Sequence, residues 1–161
     1  MNKLSTEKIQ RILKWIIFWG VLTLMALSIV QVAMHEFRPR QMVSVGGVVL
    51  QADVAKTPQE LQKGLGGRTS LGRDEAMLFV FESDGPQSIW MKDMKFPLDI
   101  IWLDRAKRVV HIERHVQPDA VPHDTYESTV PARYVLEMNA GRANGIEVGS
   151  LASFNIAEEG I

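Results

Sequence analysis

The 161-residue chain contains no cysteine. This absence excludes disulfide bonds, catalysis by a thiolate and the attachment of a lipid to cysteine. Domains exported from the cytoplasm often rely on disulfides. An exported domain in this chain would therefore have to be stabilised by its hydrophobic core alone.

The sequence also lacks a block of like charges. Its 18 Lys and Arg residues and 19 Asp and Glu residues are interspersed, and the formal net charge is -1. Nucleic-acid binding depends on clustered basic residues, so we predict no nucleic-acid partner. Phosphate-binding, dinucleotide-binding and G-x-S-x-G motifs are absent as well, and we assign no catalytic residue and no cofactor.

The four histidines do not form a metal-binding pattern. His111 and His115 are four residues apart, which would place them on one face of a helix. Their neighbours Val109, Val110 and Ile112 are typical of a strand instead. We therefore predict no metal site.

One run, residues 15–34, contains neither a charged residue nor a histidine. Twenty residues of helix rise about 30 Å, which is the hydrocarbon thickness of a bilayer. No polar face recurs along the run, and this argues against the core helix of a globular protein. We predict a transmembrane anchor. The alternative is a signal peptide that is cleaved near the small residues Ala26 and Ser28.

The flank of this run indicates the orientation of the chain. A short basic flank stays in the cytoplasm, and here the basic residues are Lys3, Lys8, Arg11 and Lys14. The protein would be a single-pass protein of the inner membrane, with its C-terminal domain in the periplasm or outside the cell. The predicted segments are a cytoplasmic segment at 1–14, the anchor at 15–34, a linker at 35–41 and an extracytoplasmic domain at 42–161.

The sequence after the linker has a pattern typical of β-structure. Residues 42–55 alternate around Gly46-Gly47, which indicates a hairpin, and Thr57 to Glu60 form a capping box for a short helix that ends at Gly64. Further strands are predicted at 77–81, 88–91, 98–103, 109–113, 134–138 and 151–156, with a long loop at 117–133. We predict a mainly β fold: a compact β-sandwich or barrel-like domain with one or two short helices, preceded by a single N-terminal transmembrane helix.

Several motifs occur in the order found in a known family. They are Gly64-Leu65 with Arg68, Met77 to Phe81, Trp90-Met91-Lys92, Pro97 to Ile101, and Val135-Leu136-Glu137 with Gly141. Over residues 49–155 the chain resembles the bacterial and archaeal "domain of unknown function 192" family. The resemblance implies a mostly β, sandwich-like fold behind a signal peptide or anchor, and it implies no activity. The chain departs from the usual family residues (methionine, glycine, asparagine and aspartate) at Gly66, Ala76, Asp93 and Ser150.

A polar cluster is the candidate for ligand binding or for a structural role. Its members are Arg68, Trp90, Lys92, Asp99 and Glu137. Alternation along a strand would place Trp90, Lys92 and Met94 on one face, where they could line a cleft for an apolar or planar ligand with an anionic group. Alternatively, Trp90 fills the core and Lys92 is solvated.

The two carboxylates of this cluster lie among strand residues, where an unpaired charge is costly to bury. Asp99 should find backbone donors or a cation such as Arg68 or Lys92. If Asp99 and Glu137 shared a cleft, they could divide acid and base roles. In the alternative interpretation, each pairs with Arg68 or caps backbone amides.

Three functions follow from these patterns. We favour a membrane-anchored extracytoplasmic module, in the periplasm, that binds a small molecule, glycan or peptide near Trp90. The alternative is an accessory or scaffold subunit of a membrane protein complex. A hydrolase that uses the paired carboxylates is a third and weaker hypothesis, so enzymatic activity is not favoured.

Overall fold

The chain divides into two compact units, Met1–Pro39 and Arg40–Ile161. The computed structural model describes residues 3–36, 40–118 and 125–156, with the side chains of the first range described from residue 8 to 28. Parts of the predicted linker and of the predicted loop at 117–133 lie outside these residues. The division into cytoplasmic segment, anchor, linker and extracytoplasmic domain stays a prediction.

The first unit is a helix, α1 (Lys3–Glu36). Its segment Lys8–Ser28 is long and apolar enough to cross a membrane, and the side chains of that segment are all exposed. The predicted span at 15–34 lies within this helix, and its side chains after residue 28 are outside the described part. An apolar helix that is exposed on every side is typical of a segment with lipid around it.

The second unit is built mainly from strands. In its described residues the elements are β1 (Gln41–Val45), β2 (Val48–Ala55), α2 (Pro58–Lys63), β3 (Glu75–Gly85), β4 (Ser88–Trp90), β5 (Leu98–Leu103), β6 (Val109–Val116), β7 (Thr125–Glu127), β8 (Ala132–Asn139) and β9 (Ala152–Ser153). Seven strands form one sheet in the order β6-β5-β8-β3-β2-β1-β9, and β4 pairs with β7. Strands β2 and β3 are parallel, which requires a crossover connection, and α2 lies in that connection.

The seven-stranded sheet curls into a half-barrel. Arg108, just before β6, forms an antiparallel bridge with Leu151, just before β9, so the two edges of the sheet meet at one end. The amide of Val109 also donates to the carbonyl of Ser150 at 2.9 Å. The predicted fold class is confirmed: the domain is mainly β and barrel-like, with a short helix, and an apolar N-terminal helix precedes it.

Each face of the sheet carries its own hydrophobic cluster. The first face includes Leu78, Ile101, Leu136 and Met138. The second face includes Phe79, Ile100, Trp102 and Val135, and Leu65 from the segment after α2 packs on it. Every side chain of β5 is buried because both faces are covered, which explains why this strand is a nearly continuous apolar run rather than an alternating one.

The start of α2 forms as the sequence predicts. The hydroxyl of Thr57 accepts from the amide of Glu60 at 3.4 Å, and the Glu60 carboxylate accepts from the amide of Thr57 at 3.0 Å. Pro58 occupies the first helical position, where no amide is needed. The helix ends at Gly64, whose φ of 48° suits a glycine.

Several strands differ from their predicted bounds, and β3 and β8 extend beyond the predicted 77–81 and 134–138 at both ends. Strand β6 was predicted to end at Glu113 and continues to Val116, because a bulge at His115 (φ 55°) allows pairing with β5 to resume. Strand β7 lies inside the predicted loop, where it pairs with β4 and not with the main sheet. The strand predicted at 151–156 is reduced to the two residues of β9.

Candidate functional site

A pocket of about 290 Å³ lies on the second face of the sheet. It is bounded by α2 and the segment after it, by β3, by β4 and by one side chain of β8. Its apolar lining consists of Leu61, Leu65, Phe79, Phe81, Ile89 and Met94. The rings of Phe79 and Phe81 stack at 6.5 Å between centroids and form a continuous aromatic surface.

Glu137 is the buried polar side chain among the described residues that line this pocket. Only 4% of the residue is exposed, and its partners in the ladder are Met77 on β3 and Ile100 on β5. These apolar neighbours cannot solvate a carboxylate. Burial raises the pKa of Glu137 to about 8, and the nearby charge of Arg68 opposes this shift in part.

The carboxyl group of Glu137 has no hydrogen-bond partner within the described part of the chain. Buried polar groups in folded proteins nearly always have one. A carboxyl group that is buried, unpartnered and in contact with a cavity is available to a bound molecule. This arrangement therefore marks the pocket as a candidate binding site in the described part of the domain.

Trp90 and Lys92 lie at the exposed side of the same pocket. Trp90 is 37% exposed, and the Nζ of Lys92 lies 5.2 Å from the centroid of its ring, in cation–π contact. The strand predicted at 88–91 forms as β4, but it ends at Trp90, and Asp93 has a φ of 59°. The predicted strand alternation from Trp90 to Met94 is therefore wrong. A turn, not strand alternation, brings Lys92 and Met94 to the pocket.

An adjoining depression of about 240 Å³ shares part of this lining. It is lined by Gln59, Gln62, Lys63, Gly66, Trp90, Lys92 and Asp93. A Cβ on Gly66 would lie 2.9 Å from the carbonyl oxygen of Lys63 and 3.2 Å from that of Lys92. The backbone therefore closes this corner of the pocket, and a side chain at Gly66 would require it to open.

Arg68 does not bind the predicted partner. Its Nη2 donates to Oδ2 of Asp53 at 2.8 Å, and Asp53 also accepts from Nε of Arg40 at 3.1 Å. The expectation that Arg68 pairs with Asp99 is wrong, because strand β2 supplies a closer carboxylate. Arg68 still acts on Glu137 through its charge.

Asp99 is fully buried but belongs to the other face of the sheet. It pairs with Met138 in the ladder, while Glu137 pairs with Ile100, so the two carboxylates point to opposite sides. Asp99 accepts from the backbone amides of His115 at 2.9 Å and Ala143 at 2.8 Å. The structure thus assigns Asp99 the role of a backbone cap and does not bring the two carboxylates into one cleft.

Of the predicted cluster, Trp90, Lys92 and Glu137 line one pocket, Arg68 lies beside it, and Asp99 lies elsewhere. The sequence did not predict the aromatic wall, which is the surface formed by Phe79 and Phe81, or the contribution of α2 to the pocket. The capping box in the sequence could have indicated the contribution of α2, because it sets the start of the helix that carries Leu61 into the pocket. Among the residues that the structure describes, no group of three or more potential ligands could hold a metal ion.

Solved structures with a similar fold include the following two. The first is a crystal structure of a protein of unknown function from Novosphingobium aromaticivorans DSM 12444, 32% identical, with a TM-score of 0.66 over 70% of this chain and 83% of that one. The second comes from Sinorhizobium meliloti 1021 and is described as a "putative transcription regulator". It is 27% identical, with a TM-score of 0.66 over 71% of this chain and 93% of that one.

Among curated proteins, none is significantly similar to the chain. A family model described as "Uncharacterized ACR" matches residues 41–154, which is the whole of the described sheet. The match covers well over half of the chain and confirms the resemblance found from the motifs. The chain therefore belongs to the domain of unknown function 192 (DUF192) family.

Proposed function

We propose that this DUF192 domain is a membrane-tethered binding module that takes a small, largely apolar ligand into the pocket beside α2. The observation that carries the proposal is the carboxyl group of Glu137, which lines that pocket, has no hydrogen-bond partner among the described residues and belongs to a residue that is only 4% exposed. Ligand pockets are typically apolar with a few polar groups that orient the ligand. The lining here follows that pattern.

The size of the pocket limits the ligand. A volume of about 290 Å³ is close to the lower end of the range of roughly 300–1,000 Å³ that is common for ligand sites. A single ring with a short polar arm fits such a space, and a larger molecule would extend past Trp90 into the adjoining depression. We therefore favour a small molecule, or one apolar side chain of a peptide, over a long glycan.

The proposed location follows from α1. Its apolar segment supports an anchor in the inner membrane, and the basic residues Lys3, Lys8, Arg11 and Lys14 support a cytoplasmic N-terminus. The domain would then bind its ligand in the periplasm or at the outer surface of the cell.

The test uses a soluble form that begins at Arg40. This chain covers 93% of the crystallised protein from Sinorhizobium meliloti, so a protein of little more than this domain folds and crystallises. A library of small aromatic and aliphatic fragments should raise the melting temperature, because a ligand that binds only the folded state stabilises it. Backbone NMR shifts should then map to Leu61, Phe81 and Trp90.

A pair of variants separates pocket binding from nonspecific effects. Phe81→Ala removes part of the aromatic wall and should weaken fragment binding about tenfold or more. Val49→Ala, at an exposed position of β2 away from the pocket, is the matched control and should leave binding unchanged. A silent library, or equal effects of both variants, would contradict the proposal.

The alternative role as a subunit of a membrane complex has one observation in its favour. Apolar side chains are exposed on the outer side of β1 and β2 and next to β9: Met42, Val49, Val148 and Leu151. Such a patch can serve as a contact with another protein. Gentle detergent extraction of the full chain should then yield a complex of defined composition, and a lone monomer would exclude this role.

A further inference from the structure

The charges around Glu137 limit the chemistry of what it can bind. Among the described residues, the charged side chains that line the pocket beside Glu137 are Lys63 at the end of α2 and Lys92 after β4. The charge of Arg68 also acts on Glu137, whereas Asp93 lines only the adjoining depression. The two lysines and Arg68 are positive, and they disfavour a ligand ammonium group at Glu137. The neighbours of Glu137 in β3 and β5, Met77 and Ile100, carry no charge.

The same environment disfavours a ligand carboxylate beside Glu137. The burial that keeps Glu137 protonated would penalise a ligand carboxylate beside it in the same way, because the apolar lining cannot solvate its charge. The exposed Lys63 and Lys92 would instead hold a ligand anion at the outer side of the pocket. Asp53 is not available to change this balance, because it is held by Arg68 and Arg40. An uncharged polar group is the remaining class of partner.

A protonated carboxyl group has a specific hydrogen-bonding pattern. It presents one O–H donor and one carbonyl acceptor side by side. A primary carboxamide presents the complementary pair, an N–H and a C=O on the same edge. The trans peptide group cannot do so, since its N–H and C=O point in opposite directions.

We propose that the pocket recognises a small apolar ligand through a primary carboxamide, or the equivalent cis edge of a lactam, paired with the carboxyl group of Glu137. This inference rests on the proposed binding function and adds the head group of the ligand. The carboxamide would satisfy both hydrogen-bonding positions of a side chain that has no partner in the described protein. Phe79 and Phe81 would pack against the apolar body.

Four probes with one body and different head groups test this inference. They are 3-phenylpropanamide, its N-methyl amide, 3-phenylpropylamine and 3-phenylpropanoate. Their dissociation constants are measured by NMR titration of the soluble form from Arg40 at pH 6.5 and pH 9. At pH 6.5 the primary amide should bind at least tenfold more tightly than the other three.

The effect of pH has a definite sign. Because burial raises the pKa of Glu137 to about 8, the group is protonated at pH 6.5 and largely ionised at pH 9. The affinity for 3-phenylpropanamide should fall about tenfold between the two. Glu137→Gln, which keeps a donor and an acceptor, should bind the amide without this pH dependence, and Glu137→Leu should lose the preference for the amide.

The outcomes separate this inference from the proposed function. A preference for the amine, or affinity that rises with pH, would overturn the carboxamide assignment while the pocket would still bind. Equal binding of the primary and the N-methyl amide would overturn it too. The absence of binding by all four probes at both pH values would count against the pocket as a binding site and would overturn both.

Discussion

Two buried carboxyl groups of the same sheet have different roles. Asp99 on β5 accepts two backbone hydrogen bonds, whereas Glu137 on the neighbouring strand β8 accepts none from described residues. Their ladder positions are adjacent, and only strand alternation separates their faces. Satisfied buried groups stabilise a fold, whereas unsatisfied ones cost stability.

Glu137→Gln should stabilise the domain, and the gain should increase with pH. The ordinary pKa of 4.5 is raised to about 8 in the folded protein, so the folded state holds its proton while the unfolded state loses it. Between pH 4.5 and about pH 8 the unfolding free energy of the native domain therefore falls by about 1.4 kcal/mol per pH unit. The Glu137→Gln variant has no carboxyl group at this position and does not show this fall. Urea unfolding of both proteins at pH 5 and pH 9 measures the difference in their unfolding free energies. A difference that is the same at both pH values would contradict the prediction.

Asp99→Asn should have the opposite effect. An asparagine carries one carbonyl oxygen, so the amide of His115 or that of Ala143 would lose its acceptor. An unsatisfied buried amide costs about 1–3 kcal/mol, and the unfolding free energy should fall by that amount at pH 7. Glu137→Gln is the matched comparison in the same sheet. If both substitutions stabilise the domain, the assigned role of Asp99 is wrong.

At the scale of elements, the sequence correctly predicted those helices and strands whose bounds depend on contacts between neighbouring residues. The β1–β2 hairpin, the capping box of α2 and the bounds of β5 follow from residues adjacent in sequence. The partners of Asp99 could not be predicted, because Ala143 lies 44 residues away and reaches it only through the fold. The contact of Arg68 with Asp53 and the pairing of β7 with β4 are likewise set by tertiary structure.

The pocket was predicted only in part for the same reason. Trp90 and Lys92 were identified, but the expected strand alternation was replaced by a turn. The aromatic wall of Phe79 and Phe81 looked like an ordinary core strand in the sequence. Only the packing of α2 against the second face shows which of these apolar residues line a cavity.

Thr57→Ala should weaken both the helix and the pocket. Loss of the capping hydroxyl leaves the amide of Glu60 without its acceptor and costs about 1 kcal/mol of stability. Because α2 carries Leu61 and leads into Leu65, fragment affinity should fall as well. Thr69→Ala, at an exposed threonine, is the control. Thermal unfolding measures the loss of stability, and fragment titration measures the loss of affinity. An unchanged affinity would mean that the α2 side of the pocket does not depend on the Thr57 cap.

At the scale of the whole molecule, the chain combines a disulfide-free half-barrel with an apolar helix. Both hydrophobic clusters consist of residues after position 40, so the domain has its own core and needs no cysteine for stability. The helix α1, by contrast, has exposed apolar side chains along its described length. Water is a poor solvent for such a surface, and a bilayer supplies the apolar environment that it lacks.

Anchoring predicts that the full chain stays in the membrane fraction after washing with high salt and alkaline carbonate and is released only by detergent. The apolar segment of α1 is about one bilayer long, so its insertion does not depend on charge and does not respond to these washes. The form that begins at Arg40 is the control and should be soluble. The mass of the extracted protein decides between anchor and signal peptide, since cleavage near Ser28 would remove the first 28 residues or so. A soluble, shortened product would show that the domain is released and not tethered.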